Sequence, residues 1–294
     1  FCEAHKYLFS ADVFIASDGP RIHPDKPTIF MGSRSVFNFT MRLDSHAGGH
    51  HSGNWGGLLT NPGVVMAHAL ASMIDRNGKI LVEGWRSNQI PNSVREAISK
   101  LDVGEGENTP DINPNWGEPD LTIAERVFAS NTFEVRAFET GNPKSPANAI
   151  PPSAIVFGHL RYVVGTDINQ LMPLLRNHLD KHGFDDITIT SERDMMPATR
   201  LDPDHPWAKW AIKSLSKTAE EEIAVIPNLG GALPNDVFAD LLGLPTIWVP
   251  HSYAGCSQHA PNEHILESIS KSALRLMTGL WWDLGEGNTP RQVS

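Results

Sequence analysis

An acidic side chain follows a predicted strand at a position where ligands bind in open α/β folds. Asp18 lies in the segment SDGP (17–20), directly after the apolar, β-branched run 11–17. Open α/β sheets bind their ligands beyond the carboxyl ends of the strands. An aspartate in a tight turn also accepts hydrogen bonds from its own backbone, and for Asp18 alone this is the more ordinary interpretation.

Two adjacent imidazoles lie in a glycine-rich segment. Residues 48–57 read GGHHSGNWGG and contain His50 and His51. Glycines let the backbone approach a ligand closely and leave a neighbouring ring free to project. The alternative is a flexible loop with exposed histidines, although such a loop would need neither so many glycines nor Trp55. The pattern favours a functional histidine.

Two further polar residues lie at the ends of another predicted strand. Asn148 is in the turn before the strand, and Arg161 is near its end. Because side chains alternate between the faces of a strand, the two residues need not share a face. A guanidinium at a strand end suits bidentate binding of a carboxylate. A surface ion pair with one of the many acids is the alternative.

A fourth candidate precedes the last predicted helix. In QHAPNE (258–263), residues 262 and 263 resemble a helix N-cap and a first-turn acid. His259 would then lie in a loop above a strand, where an imidazole can bind a metal ion. Two similar patterns are rejected, because the H-x-D at 23–25 lies in a proline-rich turn and the acids 220–222 are typical of a solvated helix end.

Composition excludes several classes of protein. The 294 residues carry 24 Lys and Arg against 34 Asp and Glu, a formal charge of −10, without a basic run. Nucleic acids and anionic membranes are therefore not expected partners. Two cysteines cannot build a disulfide framework. The start shows no signal peptide and no apolar window could span a bilayer, so we expect a cytoplasmic protein.

The order of predicted elements indicates an α/β protein in two parts. Residues 35–191 read β-α-(insertion)-β-β-α-β, the split βαβ or ferredoxin-like pattern. The insertion, at about 84–120, is rich in Pro, Gly, Asn and Asp and is expected to be an excursion on the surface. From Pro203 onward helices and strands alternate, as in part of a larger α/β sheet.

These patterns predict a partial α/β domain interrupted by a ferredoxin-like domain. The first would consist of residues 1–33 and 197–294, and the second of residues 34–196.

Taken together, the motifs resemble the M20 metallopeptidases, in particular the carnosinase-like branch of dipeptidases. The motifs occur in the order SDGP (17–20), HHSGNWGG with TNP (50–62), DRNGKILVEG (75–84), NAIPPSAIVFGHLRYV (148–163), GGALP (230–234) and HAPNE (259–263). The family fold implied by this resemblance is a zinc-binding α/β domain interrupted by a ferredoxin-like lid that also dimerises.

The resemblance also implies roles for individual residues. Asp18 and His259 would be terminal ligands of two different metal ions. His51 would reach into the active site of a partner subunit and polarise the scissile carbonyl. Asn148 and Arg161 would contact the substrate, with Arg161 binding its C-terminal carboxylate.

The sequence departs from the family pattern in two places. Gly230, Gly231 and Ala232 match a turn whose backbone lies along the substrate carboxylate, but the family usually has Gly-Gly-Ser, so Ala232 removes a hydroxyl donor. The H-x-D and Glu-Glu motifs of the family, which supply further metal ligands and the general base, are not found before Asp18. The resemblance thus implies an inactive chain, and Phe1 in place of Met suggests a fragment or a processed product.

The implied reaction is hydrolysis of dipeptides or similar small amides with a free C-terminal carboxylate, by metal-activated water. Two zinc ions are the expected cofactor, and His and carboxylate ligands suit manganese and cobalt as well. The expected partners are a small peptide substrate and a second copy of the chain, bound through the lid. Two alternatives remain: an N-acyl or N-carbamoyl amino-acid amidohydrolase, and a non-catalytic dimerisation or binding module.

Overall fold

The computed structural model describes residues 1–87, 89–104, 110–191, 195–287 and 289–290. The strands are β1 Phe14–Ala16, β2 Pro20–Arg21, β3 Thr28–Phe30, β4 Gly32–Ser33, β5 Ser35–Asp44, β6 His50–His51, β7 Thr132–Thr140, β8 Ala149–Ile150, β9 Ser153–Tyr162, β10 Thr188–Ser191, β11 Thr199–Arg200, β12 Ala224–Ile226, β13 Thr246–Trp248 and β14 Ser252–Tyr253. The helices are α1 Ser52–Trp55, α2 Pro62–Met73, α3 Asn92–Ile98, α4 Ile123–Phe128, α5 Leu171–Lys181, α6 Pro206–Ala219 and α7 Glu267–Gly285. The predicted α/β class is confirmed.

A four-stranded antiparallel sheet, the lid sheet, is built from the middle of the chain. Its order is β10-β5-β9-β7, with every neighbouring pair antiparallel. The helices α2 and α5 connect strands across this sheet, which gives the ferredoxin-like arrangement predicted from the sequence. Along β5 and β9 buried residues alternate with half-buried or exposed ones, because one face packs on the helices and the other does not.

Aromatic rings fill the covered face of the lid sheet. Phe39 is fully buried, and its ring centroid lies 5.2 Å from that of Phe37, 5.6 Å from Trp85 and 5.9 Å from Phe133. Gly158 is the cross-strand neighbour of Phe39, and a Cβ there would lie 2.6 Å from the Phe39 ring. Glycine is therefore required at this point so that the ring can cross β9.

A second four-stranded sheet, the flank sheet, combines segments from both sides of the lid. Its order is β1-β13-β3-β12. The register places the last residues of all four strands in one row, because Ala16 pairs with Trp248, Trp248 with Phe30, and Phe30 with Ile226. Because β1 and β13 are parallel to each other but β13 is antiparallel to β3, the segments after β1 and β13 leave this row in one direction and those after β3 and β12 in the other. Asp18 follows β1 and His259 follows β13, so both segments leave the sheet at the same edge.

Helices α6 and α7 cover one face of the flank sheet. Ile29 and Ile247 on this face are fully buried against Leu215 of α6 and Leu280 of α7. In the described ranges, no helix has the length and apolarity that crossing a bilayer requires.

The helix α3 of the insertion packs on the opposite face of the flank sheet. The insertion was expected to be an excursion on the surface, and this prediction is wrong for α3. The apolar residues buried together there come from the insertion (Ile90, and Val94 and Ile98 of α3), from α4, which follows the insertion (Ala124 and Phe128), and from the flank sheet (Phe30, Ile226 and Trp248). Helices α6 and α7 cover only one face of the flank sheet. Its other face is also apolar and would be exposed to water unless another segment packed on it. Residues 110–116 of the insertion are exposed, as expected.

A buried histidine makes the stability of the lid depend on pH. His178 of α5 lies under the ring of His182, with 4.4 Å between the ring centroids, and its Nε2 is 3.1 Å from Ser72 Oγ of α2. Burial, with the neighbouring His182 and Lys181, lowers the pKa of His178 below its ordinary value of 6.5. Because the unfolded chain then takes up a proton that the folded chain resists, stability is lost as the pH falls below about 6.5.

We expect His178→Gln to flatten the fall in chemical-denaturation midpoint between pH 7 and pH 5, and an unchanged slope would contradict this.

Candidate functional site

The turn that carries Asp18 is rigidly held. The backbone N–H of Gly19 donates to Asp18 Oδ1 at 2.6 Å, so the carboxylate does cap its own turn. Gly19 has a φ of +78°, and a Cβ there would meet Phe30 at 3.0 Å and Leu229 at 3.2 Å. The side chain of Asp18 is exposed, which leaves its remaining lone pairs free to bind a cation.

The loop that carries His259 is joined to the turn of Asp18. β14 pairs in parallel with β2, Ser252 Oγ donates to Gly19 O at 2.9 Å, and Gln258 Nε2 donates to Ser252 Oγ at 3.4 Å. These contacts bring together two segments that are far apart in the sequence. They are consistent with a shared site for Asp18 and His259.

The local structure around His259 differs from the prediction. α7 begins at Glu267 with Leu266 as its N-cap, so residues 262 and 263 are not the start of the helix. His259 and Asn262 instead have left-handed backbones, with φ of +59° and +63°, in an exposed loop. Such conformations are costly for residues other than glycine and occur where the surroundings enforce them.

A histidine that the sequence analysis did not single out lies beside this loop. His251 follows β13 as Asp18 follows β1, and its Nδ1 is 2.6 Å from Ser17 Oγ. Its Nε2 is buried and has no hydrogen-bond partner within the described ranges. Burial, and the positive charge of Arg21, lower the pKa of His251, so the ring is held neutral. The sequence feature that could have identified His251 is its position at the end of a predicted strand.

The glycine turn (230–232) follows β12, and hydrogen bonds link it to residues 32–34, where β4 ends and β5 begins. Leu229 O accepts from Arg34 N at 2.9 Å, Leu229 N donates to Gly32 O at 2.8 Å, and Leu233 N donates to Ser33 Oγ at 3.2 Å. A Cβ on Gly231 would meet nothing within 4 Å. The backbone of the turn is therefore fixed at both ends and open in the middle.

Arg161 lies at the end of the lid sheet nearest the glycine turn. It pairs across the sheet with Val36 on one side and Thr132 on the other, on the face not covered by helices. Within the described ranges its guanidinium makes no hydrogen bond or ion pair, and burial lowers its pKa. Thr132 Oγ1 accepts from Arg34, which also donates to the carbonyl of Gly230. A half-buried guanidinium without a partner is suited to bind a carboxylate.

His51 and Asn148 are brought together on a small ribbon. β6 pairs with β8, and both the N–H and the Oγ of Ser52 donate to Asn148 O, at 2.9 and 3.0 Å. His51 Nδ1 accepts from Gly53 N at 3.1 Å. A neutral ring that accepts at Nδ1 carries its proton on Nε2, so the exposed edge of His51 is a hydrogen-bond donor.

The ribbon lies at the opposite end of the lid sheet from Arg161. Pro152 O accepts from Ser45 N next to the ribbon, and β9 then runs from Ser153 to Arg161. Eight residues of a strand span about 27 Å. Within one chain, His51 and Asn148 therefore do not share a site with Arg161.

The family model described as the M20 peptidase dimerisation domain matches residues 34–186, just over half of the chain. The chain belongs to the M20 peptidase family.

Curated M20 relatives cover nearly the whole chain at low identity. The human Beta-Ala-His dipeptidase is 21% identical over 280 residues, which are 90% of this chain and 54% of that protein. The Cys-Gly metallodipeptidase DUG1 of Saccharomyces cerevisiae is 23% identical over 292 residues, 90% of this chain and 56% of that protein. The chain thus spans about half the length of the curated relatives that it matches.

Solved M20 structures have the same fold. The M20 metallo-carboxypeptidase Sso-CP2 of Sulfolobus solfataricus superposes with a TM-score of 0.78 at 25% identity, covering 95% of this chain and 65% of the other. The dipeptidase Dug1p of Saccharomyces cerevisiae gives a TM-score of 0.77 at 18% identity, covering 99% and 62%.

The M20 chain does not form a complete metal site within the residues that the structure describes. No three His, Cys, Asp or Glu side chains in those ranges lie close enough to hold an ion. A carboxylate and an imidazole are suitable donors for zinc, but a protein site uses three or four such ligands. Asp18 and His259 therefore suit a metal ion as two members of a ligand set that needs at least one further residue.

The two rejected patterns make contacts near the surface of the M20 chain. Glu221 pairs with Lys26 at 3.3 Å, and Glu222 pairs with Lys100 at 2.6 Å. His23 Nε2 is 3.2 Å from the carbonyl of Asp102. Half-exposed or exposed pairs of this kind contribute little to stability and nothing in their geometry indicates catalysis.

Proposed function

We propose that this chain is part of a metal-dependent dipeptidase, which hydrolyses dipeptides and similar small amides with a free C-terminal carboxylate. The proposal is carried by the guanidinium of Arg161, which is half-buried, without a partner in the described ranges, and close to the residues that hold the glycine turn. Such a group favours an anionic partner, and a planar carboxylate matches its fork of donors. The dipeptidase names of the human and yeast relatives support the same class.

The residues of the flank sheet would contribute to metal binding. Asp18 would supply a carboxylate ligand and His259 an imidazole ligand, from loops that hydrogen bonds join. When bound, a pair of divalent ions supplies a water activated for attack on the amide carbonyl. Because the described residues supply no third ligand beside these two, we expect the chain alone to be inactive. Zinc is the proposed metal, with manganese and cobalt as possible substitutes.

The lid would complete the site in a second copy of the chain. The exposed Nε2–H of His51 can donate to the oxyanion that develops on the scissile carbonyl, and Asn148 is held beside it. Since about 27 Å of strand separates them from Arg161, a homodimer would place them over the partner's site. We also propose that the lid domain comprises residues 34–196 and that the flanks form one domain. The cytoplasmic location stays a prediction.

The proposed function is tested by an assay of the complete protein that contains this chain. With zinc we expect turnover of alanyl-alanine, much slower turnover of alanyl-alanine amide, and complete loss of activity with a chelator. Faster hydrolysis of N-acetyl-alanine or N-carbamoyl-alanine than of the dipeptide would instead indicate an amidohydrolase. A stable dimer that hydrolyses none of these compounds would indicate a binding module.

A further inference from the structure

Arg34 is a buried guanidinium at the point where the chain passes from the flank sheet into the lid. It lies between β4 and β5 and is 8% exposed. Its Nε donates to Gly230 O at 3.3 Å, and its Nη1 donates to Ser130 O and Thr132 Oγ1, each at 3.4 Å. One side chain thus joins the glycine turn to the strand that borders Arg161.

The positive charge of Arg34 is not neutralised by an ion pair. Among the residues that the structure describes, no carboxylate lies within ion-pair distance of Arg34 or of Arg161. Burial and the neighbouring charge of Arg161 lower the pKa of Arg34 to about 10, against a smaller opposing effect of Glu134. The group is therefore still charged at neutral pH. Two neighbouring guanidiniums in a partly dry site favour the binding of an anion that compensates their charge.

The unused donors of Arg34 lie next to the glycine turn. Its Nη2 makes no hydrogen bond within the described ranges, and a Cβ on Gly230 would lie 3.5 Å from it. Arg34 also lines a cavity of about 480 Å³ together with Thr132 and Glu134. Because Thr132 is the cross-strand neighbour of Arg161, both guanidiniums border the same region at the end of the lid sheet.

We propose that Arg34 is a positioning residue of the carboxylate site: it holds the carbonyl of Gly230 in place and, with Arg161, makes the site selective for a free carboxylate. This inference rests on the proposed function, in which Arg161 and the glycine turn receive the C-terminal carboxylate. Only a guanidinium can serve the Gly230 carbonyl and the two acceptors on the β7 side at once, because its donors are spread over a rigid plane. A lysine would keep the charge and lose this geometry.

The test measures binding of N-acetyl-alanine and of N-acetyl-alanine amide to this chain by ligand-observed NMR. We expect the wild type to bind the acid and not the amide. Arg34→Lys should weaken binding of the acid by about tenfold, the effect of losing one charge-assisted contact. Thr132→Val, which removes one acceptor of Arg34 at constant shape, should give a smaller loss in the same direction.

Arg126→Lys is the matched control. Arg126 lines the same cavity and also donates to carbonyls, those of Pro114, Trp116 and Glu118, at 2.7–2.9 Å, but it does not reach the glycine turn. Arg126→Lys should leave the ratio of the affinities for N-acetyl-alanine and N-acetyl-alanine amide unchanged. The proposal is overturned if wild type does not discriminate the two probes, if folded Arg34→Lys and Thr132→Val both bind the acid as wild type does, or if Arg126→Lys lowers the ratio equally. If the variants behave as expected while the complete protein hydrolyses no dipeptide, the proposed function fails and the role of Arg34 in binding carboxylates stands.

Discussion

A one-to-one mixture of Asp18→Asn and His51→Ala protomers of the complete protein is expected to recover about a quarter of wild-type dipeptidase activity, as shared sites in a symmetric dimer require. Each variant alone should lose about 10²–10³ in kcat or more, because one lacks a metal ligand and the other a donor to the oxyanion. Asp18 lies in the turn after β1 of the flank sheet. His51 lies on the β6–β8 ribbon, at the far end of β9 from Arg161.

The expected recovery follows from counting sites. Random exchange makes half of the dimers mixed, and each mixed dimer has one site with the intact Asp18 of one protomer and the intact His51 of the other. The measurement is turnover of alanyl-alanine after the two purified variants exchange subunits.

Two variants on the same side of the site provide the control. Asp18→Asn mixed with His259→Asn should recover nothing, because each protomer then carries a defect in its own metal ligands. A mixture of Asp18→Asn and His51→Ala that stays as inactive as this control would contradict a site shared between subunits. Undiminished activity of His51→Ala alone would remove the residue from the mechanism.

The lid was predictable because its pattern is local. Ten successive residues of β5 and ten of β9 alternate between buried and more exposed positions, and this period can be counted along the sequence. Asn61 before Pro62 marks the start of α2, and its side chain accepts from Gly63 N and Val64 N as an N-cap should.

Features that depend on distant contacts were not predictable in this way. The insertion reads as polar, and only the apolar face of the flank sheet explains why Ile90 and Val94 are buried. Arg34 acquires its surroundings from Gly230, 196 positions later, and His251 from Ser17, 234 positions earlier. Their side-chain types suggest no role until the fold brings these partners together.

Arg161→Met is expected to lower kcat/KM for alanyl-alanine by about 100-fold or more in the complete protein, since removing one partner of a buried charged contact costs about 2–5 kcal/mol. The structure holds the guanidinium half-buried and without an ion pair in the described part of the chain, so the substrate carboxylate would be its main partner. The loss should be found mostly in KM if the contact is the same in the ground state and the transition state.

Alanyl-alanine amide separates recognition of the carboxylate from damage to the fold. The amide has no negative charge for Arg161 to bind, so its slow hydrolysis should change little in Arg161→Met. Arg42→Met is the matched control, because Arg42 lies on the neighbouring strand but is exposed and paired with Asp44 at 2.7 Å. It should leave both substrates unaffected, since exposed pairs contribute little. An equal loss for dipeptide and amide in Arg161→Met would show that the residue supports the lid and does not select the substrate.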